Sequence, residues 1–281
     1  MAESLQQIKK RIKTANNIAQ ISKAMEMIAA SKIKKAQSAV EKNRPYAQRV
    51  KTVVQKLLTK HRNELLEHAF FNLKSQTDKK LVYIISPDKG LCGGLLANLF
   101  SEFISKVSKE DYIVTIGKKA QMFCIKNGFN VIASFNMGTT FPKYSEFTHV
   151  LKFIESYYAQ KKICGVEVVY TNFKNRMVQQ PAKAVLAPVE VDKCFVDKGI
   201  HIFEPSPEAV FKSLMPYYFE VGFYDMLMNA YASEQAARMQ AMNNSKENAK
   251  DISTFLTTVY NKSRQEKITN EILDLANGLI S

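Results

Sequence analysis

The stretch LQQIKKRIKTANNIAQISKAMEMIAA, residues 5–30, predicts a long helix that packs along a second helix. Apolar or small side chains recur here every three or four residues in two neighbouring rows: Leu5, Ile8, Ile12, Ala15, Ala19 and Ser22 in one row, and Ile18, Ile21, Met25 and Ile28 in the other. This spacing is typical of the seam between two packed helices. No glycine occurs before Gly90, and Pro45 is the only proline before Pro87. We therefore expect the helix to continue well beyond this stretch, with or without a bend at the proline.

The C-terminal part of the chain supplies the second helix. Neither glycine nor proline interrupts residues 223–277, and a row of apolar residues steps by four, three and four at Ile268, Ile272, Leu275 and Leu279. A helix of about fifty-five residues spans ~80 Å, which exceeds the diameter of a compact domain of this mass. Such a helix projects from its domain, and its apolar stripe is most readily buried against the other stripe. The sequence therefore predicts an antiparallel coiled coil of the N- and C-terminal helices.

The middle of the chain has the pattern of an α/β domain. Short β runs occupy residues 81–86, 112–117, 131–135 and 165–173, and candidate helices lie between them at 95–108, 118–127 and 144–161. This alternation predicts a Rossmann-like domain with a parallel sheet and crossover helices. The following residues, 179–202, contain Pro181 and Pro188 and favour an edge strand.

Three regions follow from these patterns. Residues 1–60 form the N-terminal coiled-coil helix, residues 75–200 the central α/β domain, and residues 207–281 the C-terminal coiled-coil helix. Ser206 or Pro207 is expected to open the last helix, with Glu208 in its first turn.

The positive charge of the chain lies almost entirely in its first helix. Residues 1–62 hold fifteen basic and three acidic side chains, a net charge of +12, against +14 for the whole chain. Residues 223–281 hold six basic and seven acidic side chains. The first helix therefore favours an acidic partner, which could be nucleic acid, anionic lipid or protein. Tyr46 is the only aromatic residue among Phe, Trp and Tyr in residues 1–62, so stacking on the bases of single-stranded nucleic acid is disfavoured. An acidic protein is therefore the better match for this helix.

Composition argues against several classes of protein. No apolar run approaches the roughly 18 residues of a membrane span, and the start of the chain lacks the apolar region of a secretory signal, so we expect a cytosolic location. The cysteines and histidines have no CxxC, metal-site or triad spacing: Cys92, Cys124, Cys164, Cys194, His61, His68, His149 and His201. We expect no metal site, no cofactor site and no catalytic centre.

The segment SPDKGLCGG, residues 86–94, lies where α/β proteins often bind phosphate. It matches neither GxGxxG nor GxxxxGK[ST]. A structural turn that uses Gly90, Gly93 and Gly94 for permissive backbone angles is the favoured interpretation. Cys92 is then a packed thiol, and the alternative is a thiol activated by the following helix N-terminus.

Methionines recur along both long helices: Met25, Met27, Met226, Met228, Met239 and Met242. Core filling is the ordinary role of such residues. The alternative is an interface that slides or repacks.

Several ordered motifs resemble those of one family, the γ subunits of F-type rotary ATP synthases. They are ISKAMEMIAASK at 21–32, RPYA at 44–47, DKGLCGG at 88–94, FEPSP at 203–207, ASEQAARMQAM at 232–242, YNKSRQ at 260–265, and the terminal set Ile268, Thr269, Glu271, Asp274 and Gly278. Departures from the family pattern occur at Gln20, Pro87 and Leu279.

The resemblance implies a non-catalytic rotor shaft. The coiled coil would enter the hexamer of α and β subunits, and the α/β domain and the base of the coil would rest on the c-ring, so that rotation couples ion flow to ATP synthesis and hydrolysis. The implied partners are the α, β and ε subunits and the c-ring, without nucleic acid and without a cofactor. The implied location is the cytoplasmic face of the bacterial inner membrane, as a peripheral protein without a transmembrane span.

The resemblance also implies roles for single residues. Met25 would lie near the β-subunit contact, Arg264 and Gln265 would meet the catch loops of the hexamer, and Thr269 and Glu271 would support that contact. Glu204, in the FEPSP element, would belong to the foot that faces the c-ring and the ε subunit. A plain helix N-terminal carboxylate is the alternative reading of Glu204.

Two rival functions come from other classes. A nucleic-acid-binding coiled-coil protein would be retained on DNA in a salt-sensitive way. A small-ligand enzyme that uses the loop at residues 90–94 would carry a bound nucleotide.

Overall fold

The computed structural model describes residues 4–61, 78–138, 140–142, 144, 154, 157, 163–189, 199 and 202–278. It contains four helices and five strands within those residues: α1 Leu5–Lys60, β1 Lys80–Ile85, α2 Leu95–Lys106, β2 Tyr112–Ile116, α3 Lys118–Lys126, β3 Asn130–Phe135, β4 Gly165–Phe173, β5 Gln179–Ala187 and α4 Pro207–Gly278. The predicted helix at 144–161 lies largely outside the described residues. The chain divides into two compact units, one formed by residues up to Ala30 with those from Arg238 onward, the other by Ser31–Ala237.

Both long helices form as the sequence predicts. Helix α1 runs 56 residues and passes through Pro45 without ending. Helix α4 runs 72 residues from Pro207, with Glu208 in its first turn. Ser206 caps it, because its Oγ accepts a hydrogen bond from the Ala209 amide at 3.2 Å.

The second unit is built on a five-stranded sheet in the order β3-β2-β1-β4-β5. Strands β1 to β4 are parallel, as predicted for the crossover pattern. Strand β5 runs antiparallel to β4, pairing from Phe173↔Gln179 to Val166↔Ala187, so the sheet is mixed. The short turn between β4 and β5 explains this difference, because a parallel pair needs a longer crossover. The predicted edge strand is therefore present, and residues 190–198, 200 and 201 lie outside the described residues.

Alternate side chains of β1 point to opposite faces of the sheet and contribute to two separate hydrophobic cores. Tyr83 and Ile85 belong to the core that contains Val54 of α1 and Phe223 of α4. On the other face lies the core of α2 and α3, which includes Val82, Ile84, Leu99, Phe103 and Cys124. The sheet is thus covered on both faces within the second unit.

A buried carboxylate ties three strands together. Glu167 on β4 is 5% exposed, and its two oxygens each lie 3.0 Å from an ammonium nitrogen, Lys80 Nζ on β1 and Lys183 Nζ on β5. The hydrogen bond to Glu167 is the main reason why the pKa of Lys80 is raised above 10.5. The pair of lysines neutralises a charge that would otherwise be costly to bury.

Candidate functional site

The first unit is an antiparallel pair of helices with a narrow seam. Ile8, Ala15, Ser22 and Ala29 of α1 are buried at intervals of seven residues. Met242, Ala249 and Leu256 of α4 are buried at the same interval. Two hydrogen bonds set the direction: the Ser22 and Ser245 hydroxyls lie 3.1 Å apart, and Ser253 Oγ donates to Asn16 Oδ1 at 2.8 Å. From the first contact to the second, the residue number falls from 22 to 16 in α1 and rises from 245 to 253 in α4, so the helices are antiparallel and the predicted antiparallel coil is present.

The second apolar row of α1 lies outside this seam. Ile18, Ile21, Met25 and Ile28 are 45%, 58%, 37% and 57% exposed. The prediction that this row shares the seam is therefore wrong, because Ile8, Ala15 and Ser22 of the first row already fill the seam together with Ala29. The result is a continuous apolar stripe on the outer face of the helix, a feature that commonly marks an interaction surface.

The helix methionines divide between core and surface. Met228 and Met242 are buried, whereas Met25 and Met27 are exposed. Core filling is thus correct for the buried pair and wrong for the exposed pair. For Met25 and Met27, the alternative interpretation applies, namely that they belong to an interface.

The outer face of the first unit is also asymmetric in charge. From Leu5 to Ala30, α1 holds five basic residues and one acidic residue, whereas α4 from Arg238 to Gly278 holds six basic and five acidic residues. The single acid of that α1 segment, Glu26, is used internally, because its Oε2 accepts a hydrogen bond from Lys246 Nζ at 2.8 Å. This bond is the main cause of the raised pKa of Lys246. Lys9, Lys10, Lys13 and Lys23 are exposed.

A groove of about 530 Å³ runs between the two helices of this unit. Small residues line it, namely Ala15, Ala241 and Ala249, together with the larger Ile18 and Ile252. It opens beside the apolar stripe, so the apolar surface of α1 continues into the helix pair.

The residues proposed for the hexamer contact lie near the end of α4. Arg264, Gln265, Thr269 and Glu271 are all exposed. Thr269 Oγ1 donates to the Gln265 carbonyl at 2.9 Å, and Glu271 lies 3.6 Å from Lys267 Nζ, so their contacts are within the helix.

The apolar row at this end of α4 is also exposed. Ile268 and Ile272 are 47% and 60% exposed. The antiparallel register explains this exposure, since Ser253 already faces Asn16 and helix α1 begins at Leu5. Gly278 is the last residue of α4. The side chains of Asp274 and Leu275, and the whole of Leu279, lie outside the described residues.

In the second unit, the loop at 86–94 has the geometry of a structural turn. Asp88 accepts three backbone hydrogen bonds, from Lys118 and Met137 at 2.8 and 3.3 Å on Oδ1 and from Gly138 at 2.8 Å on Oδ2. Ser86 Oγ accepts one from Ala120 at 2.8 Å. These amides include the N-terminus of α3, so hydrogen bonds tie the loop at 86–94 to the residues that follow β2 and β3.

Two further features support a structural role for the loop at 86–94. Gly117 has a φ of +97°, and a Cβ there would lie 1.9 Å from the Ser86 carbonyl oxygen, so only glycine fits. Cys92 is 1% exposed and packs with Leu95 and Ala237, as predicted for a packed thiol. Sequence reasoning had no signal for the role of Asp88, because its partners lie 30 to 50 positions away.

The other thiols and histidines do not converge. Burial raises the pKa of the Cys124 thiol to about 12, and Cys164 Sγ donates to the Asp78 carbonyl at 3.2 Å. His61 packs edge to face on Phe203 at 5.7 Å between ring centroids. His68, His149, His201 and Cys194 lie outside the described residues. Among the residues that are described, no three metal-ligating side chains come together.

The segment before α4 carries Glu204. This residue is exposed and precedes the first helical residue, Pro207. The carboxylate in the first turn of the helix is instead Glu208. The structure therefore disfavours the reading of Glu204 as a first-turn carboxylate.

Comparison with known proteins identifies the family. The family profile described as ATP synthase matches residues 4–281. An ATP synthase gamma chain of Dehalococcoides mccartyi is 37% identical over 281 residues, with 98% of each chain covered. The chain belongs to the ATP synthase gamma chain family. Another member, from Roseiflexus castenholzii, is 32% identical and covers 98% of this chain and 97% of its own length.

Solved structures share the fold of this gamma chain family member. One is a chain of the Euglena gracilis mitochondrial ATP synthase OSCP/F1/c-ring structure, with a TM-score of 0.60, 19% identity, and coverage of 89% of this chain and 94% of that one. Another is from the Tetrahymena thermophila mitochondrial ATP synthase central stalk and c-ring, with a TM-score of 0.56, 23% identity, and coverage of 80% and 98%. Over the described residues of the gamma chain family member, no helix is both long and apolar enough for a bilayer crossing.

Proposed function

We propose that this gamma chain is the central rotor shaft of an F1Fo ATP synthase. It couples ion flow through the membrane c-ring to ATP synthesis and hydrolysis at the hexamer of α and β subunits, and it does so by rotating. Its partners are the α, β and ε subunits and the c-ring, and its place is the cytoplasmic face of the bacterial inner membrane, as a peripheral protein. Family membership and the shared fold support this proposal.

The observation that carries the mechanism is the unequal outer surface of the helix pair. One helix presents the exposed apolar stripe Ile18, Ile21, Met25 and Ile28 and a basic surface, and the other is close to neutral. When such a pair turns inside a ring of three similar sites, each site meets a different surface at any moment. Long-range attraction between charged surfaces changes gently with angle, so it guides rotation without a rigid lock.

The proposal assigns no catalytic residue to this chain. The Asp88 and Ser86 contacts occupy the amides at the N-terminus of α3, and this supports a structural role for the loop at 86–94. The chemistry would belong to the β subunits.

The residue roles remain parts of the proposal. Met25 belongs to the exposed stripe and would contact the β subunits. Arg264 and Gln265 would meet the catch loops of the hexamer, with Thr269 and Glu271 as support. Glu204 would belong to the foot that faces the c-ring and the ε subunit. Their exposure supports these roles, since each is available to a partner.

The three regions defined from the sequence have separate roles in this proposal. Residues 1–60 and 207–281 would act as the coiled-coil shaft, and residues 75–200 would form the central domain near the c-ring.

Single-molecule rotation tests the main proposal. The chain is assembled with α and β subunits, the hexamer is fixed to a surface, and a bead is attached to the chain. We expect ATP-driven rotation in one direction with three main dwells per turn, and no ATP hydrolysis by the isolated chain. Hydrolysis by the hexamer without rotation of the bead would refute the shaft role. Nucleotide hydrolysis by the chain alone would refute the non-catalytic role.

A pair of variants tests the apolar stripe. Ile21→Ser with Ile28→Ser removes two exposed isoleucines from it, and burial of each against a partner contributes about 1–2 kcal/mol. We expect weaker binding to the hexamer and a lower ratio of ion pumping to hydrolysis. Ile125→Ser is the matched control, because Ile125 is 62% exposed on α3. Equal behaviour of the two variants would contradict the assignment of the stripe to the hexamer contact.

A second pair tests the end of α4. Arg264→Ala should slow hydrolysis by the assembled complex, because it removes the cation proposed to meet the catch loops. Lys262→Ala is the control, since Lys262 is also basic and exposed and lies two positions away. Equal rates in the two variants would remove Arg264 from the proposed contact.

A further inference from the structure

A segment of α4 in the second unit is enclosed on all sides. All eleven residues from 227 to 237 are buried. They include four polar side chains, Asn229, Ser233, Glu234 and Gln235, each less than one-tenth exposed. A helix that packs along one stripe leaves its opposite face in water, and polar residues are seldom fully buried. This segment therefore has neighbours around its whole circumference.

Those neighbours come from separate parts of the unit. Ser233 Oγ donates to the Thr171 carbonyl of β4 at 3.1 Å. Ala237 packs with Cys92 and Leu95, at the end of the loop that follows β1.

Other residues of the segment reach two more elements. The ring of Tyr231 meets Phe141, which follows β3, edge to face at 5.8 Å between centroids. Leu227 and Ala230 share a buried cluster with Ala36 of α1.

The segment also lies at a special position of the sheet. Strand order runs from β1 to β2 and β3 on one side, and then returns to β4 on the other side of β1. In doubly wound proteins, ligands bind in the crevice outside the carboxyl ends of the two strands at such a reversal. Here Ser233 bonds near the carboxyl end of β4, and Ala237 packs on the loop that follows β1. Helix α4 thus takes the place of a ligand.

We infer that residues 227–237 form a rigid joint that fixes the sheet of the second unit to helix α4, and that Ser233 is a positioning residue of this joint. The mechanical part of this inference rests on the proposed function, because a rotor must pass torque between its sheet and its long helix. The joint fills the crevice that other proteins of this topology use for binding. It transmits force through buried packing and through the Ser233 hydrogen bond.

Hydrogen exchange in the complete ATP synthase tests the joint. Exchange of residues 227–237 is measured by mass spectrometry at rest and during ATP-driven turnover. For the native chain we expect strong protection that does not change with turnover. An increase of exchange in this segment during turnover would overturn the inference, because it would mean that the joint opens or slides.

A matched pair of variants isolates Ser233. Ser233→Ala removes one net hydrogen bond, so we expect exchange in the segment to rise about fivefold at rest and to rise further during turnover. Ser213→Ala is the control, because the Ser213 hydroxyl donates to the Ala209 carbonyl of its own helix, at 2.9 Å on an exposed face. Identical exchange in the two variants would overturn the role of Ser233.

The same experiment separates this inference from the proposed function. If the native complex neither rotates nor couples, the proposed function fails, while protection of the segment at rest still reports on the joint. If the native complex couples normally and the segment exchanges like exposed helix, only the joint fails.

Discussion

Glu167→Gln is the perturbation whose effect follows most directly from the structure. The native carboxylate is 7% exposed at its side chain and binds Lys80 and Lys183 at 3.0 Å each. The amide that replaces it can accept a hydrogen bond from one lysine at its carbonyl oxygen, but its nitrogen is a donor that faces the second ammonium. The variant therefore leaves two positive charges with no compensating negative charge between them.

The magnitude can be bounded from exposure. Loss of one partner from a fully buried ion pair costs about 3–5 kcal/mol. The side chains of Lys80 and Lys183 are 41% and 23% exposed, so both ammonium groups regain part of their hydration. We therefore expect a loss of about 2–3 kcal/mol of unfolding free energy, less than the full buried value.

Urea unfolding followed by tyrosine fluorescence measures this loss, since the chain has no tryptophan. With a slope of about 2–3 kcal/mol per molar urea, the midpoint should fall by about 1 M. Glu102→Gln is the control, because Glu102 pairs with Lys106 one turn away on the same helix, and such a pair contributes about 0.3–0.5 kcal/mol. A midpoint shift for Glu167→Gln no larger than that of the control would refute the reasoning.

The pH dependence gives an independent check on the same contact. The pKa of Lys80 is raised above 10.5 in the folded chain, chiefly by its bond to Glu167. A base whose folded pKa is raised adds stability that is fully present below its unfolded pKa and is lost as pH rises through the folded pKa. The native chain should therefore lose this stability above about pH 10.5, and Glu167→Gln should show a smaller loss over the same range.

Three further outcomes follow from single positions. Gly117→Ala should destabilise the second unit by about 3 kcal/mol or more, as measured by urea unfolding, because its Cβ would lie 1.9 Å from the Ser86 carbonyl oxygen at a φ of +97°. At pH 8, iodoacetamide should label Cys164 before Cys124, because a pKa of about 12 leaves about one Cys124 thiol in ten thousand ionised; peptide mapping that shows the reverse order would contradict this. Thr171→Val should leave the unfolding free energy equal or raise it by about 1 kcal/mol, because the Thr171 hydroxyl is buried without a hydrogen-bond partner among the described residues; a clear loss would reveal a partner for that hydroxyl.

Local patterns were sufficient to predict most elements of the fold. The β run at 165–173 matches β4 to the residue, and the predicted opening of the last helix at Ser206 or Pro207 matches its cap and its first residue. These features depend on neighbouring residues only. The direction of β5 did not follow from its own sequence, because the turn that precedes it decides the pairing.

Long-range contacts account for what sequence could not predict. In the sequence, Asp88 is a single acidic residue in a turn. Only the folded sheet brings the backbone amides of Lys118 and Gly138 next to its carboxylate. Likewise Glu167 is a single polar residue in a β run, and its lysine partners stand 87 and 16 positions away along the chain. Neither residue has a spacing that reveals its contacts.

The two apolar rows of α1 show where periodicity stops being informative. Both rows repeat every three or four residues, so spacing alone assigns both to the seam. The folded pair separates them, because the small residues Ala15, Ser22 and Ala29 fill most of the seam, next to the single isoleucine Ile8. The larger residues, such as Ile21 and Ile28, are then displaced to the outer face. The seam that buries one row of α1 thereby leaves the other row as an apolar stripe that a surrounding partner can contact.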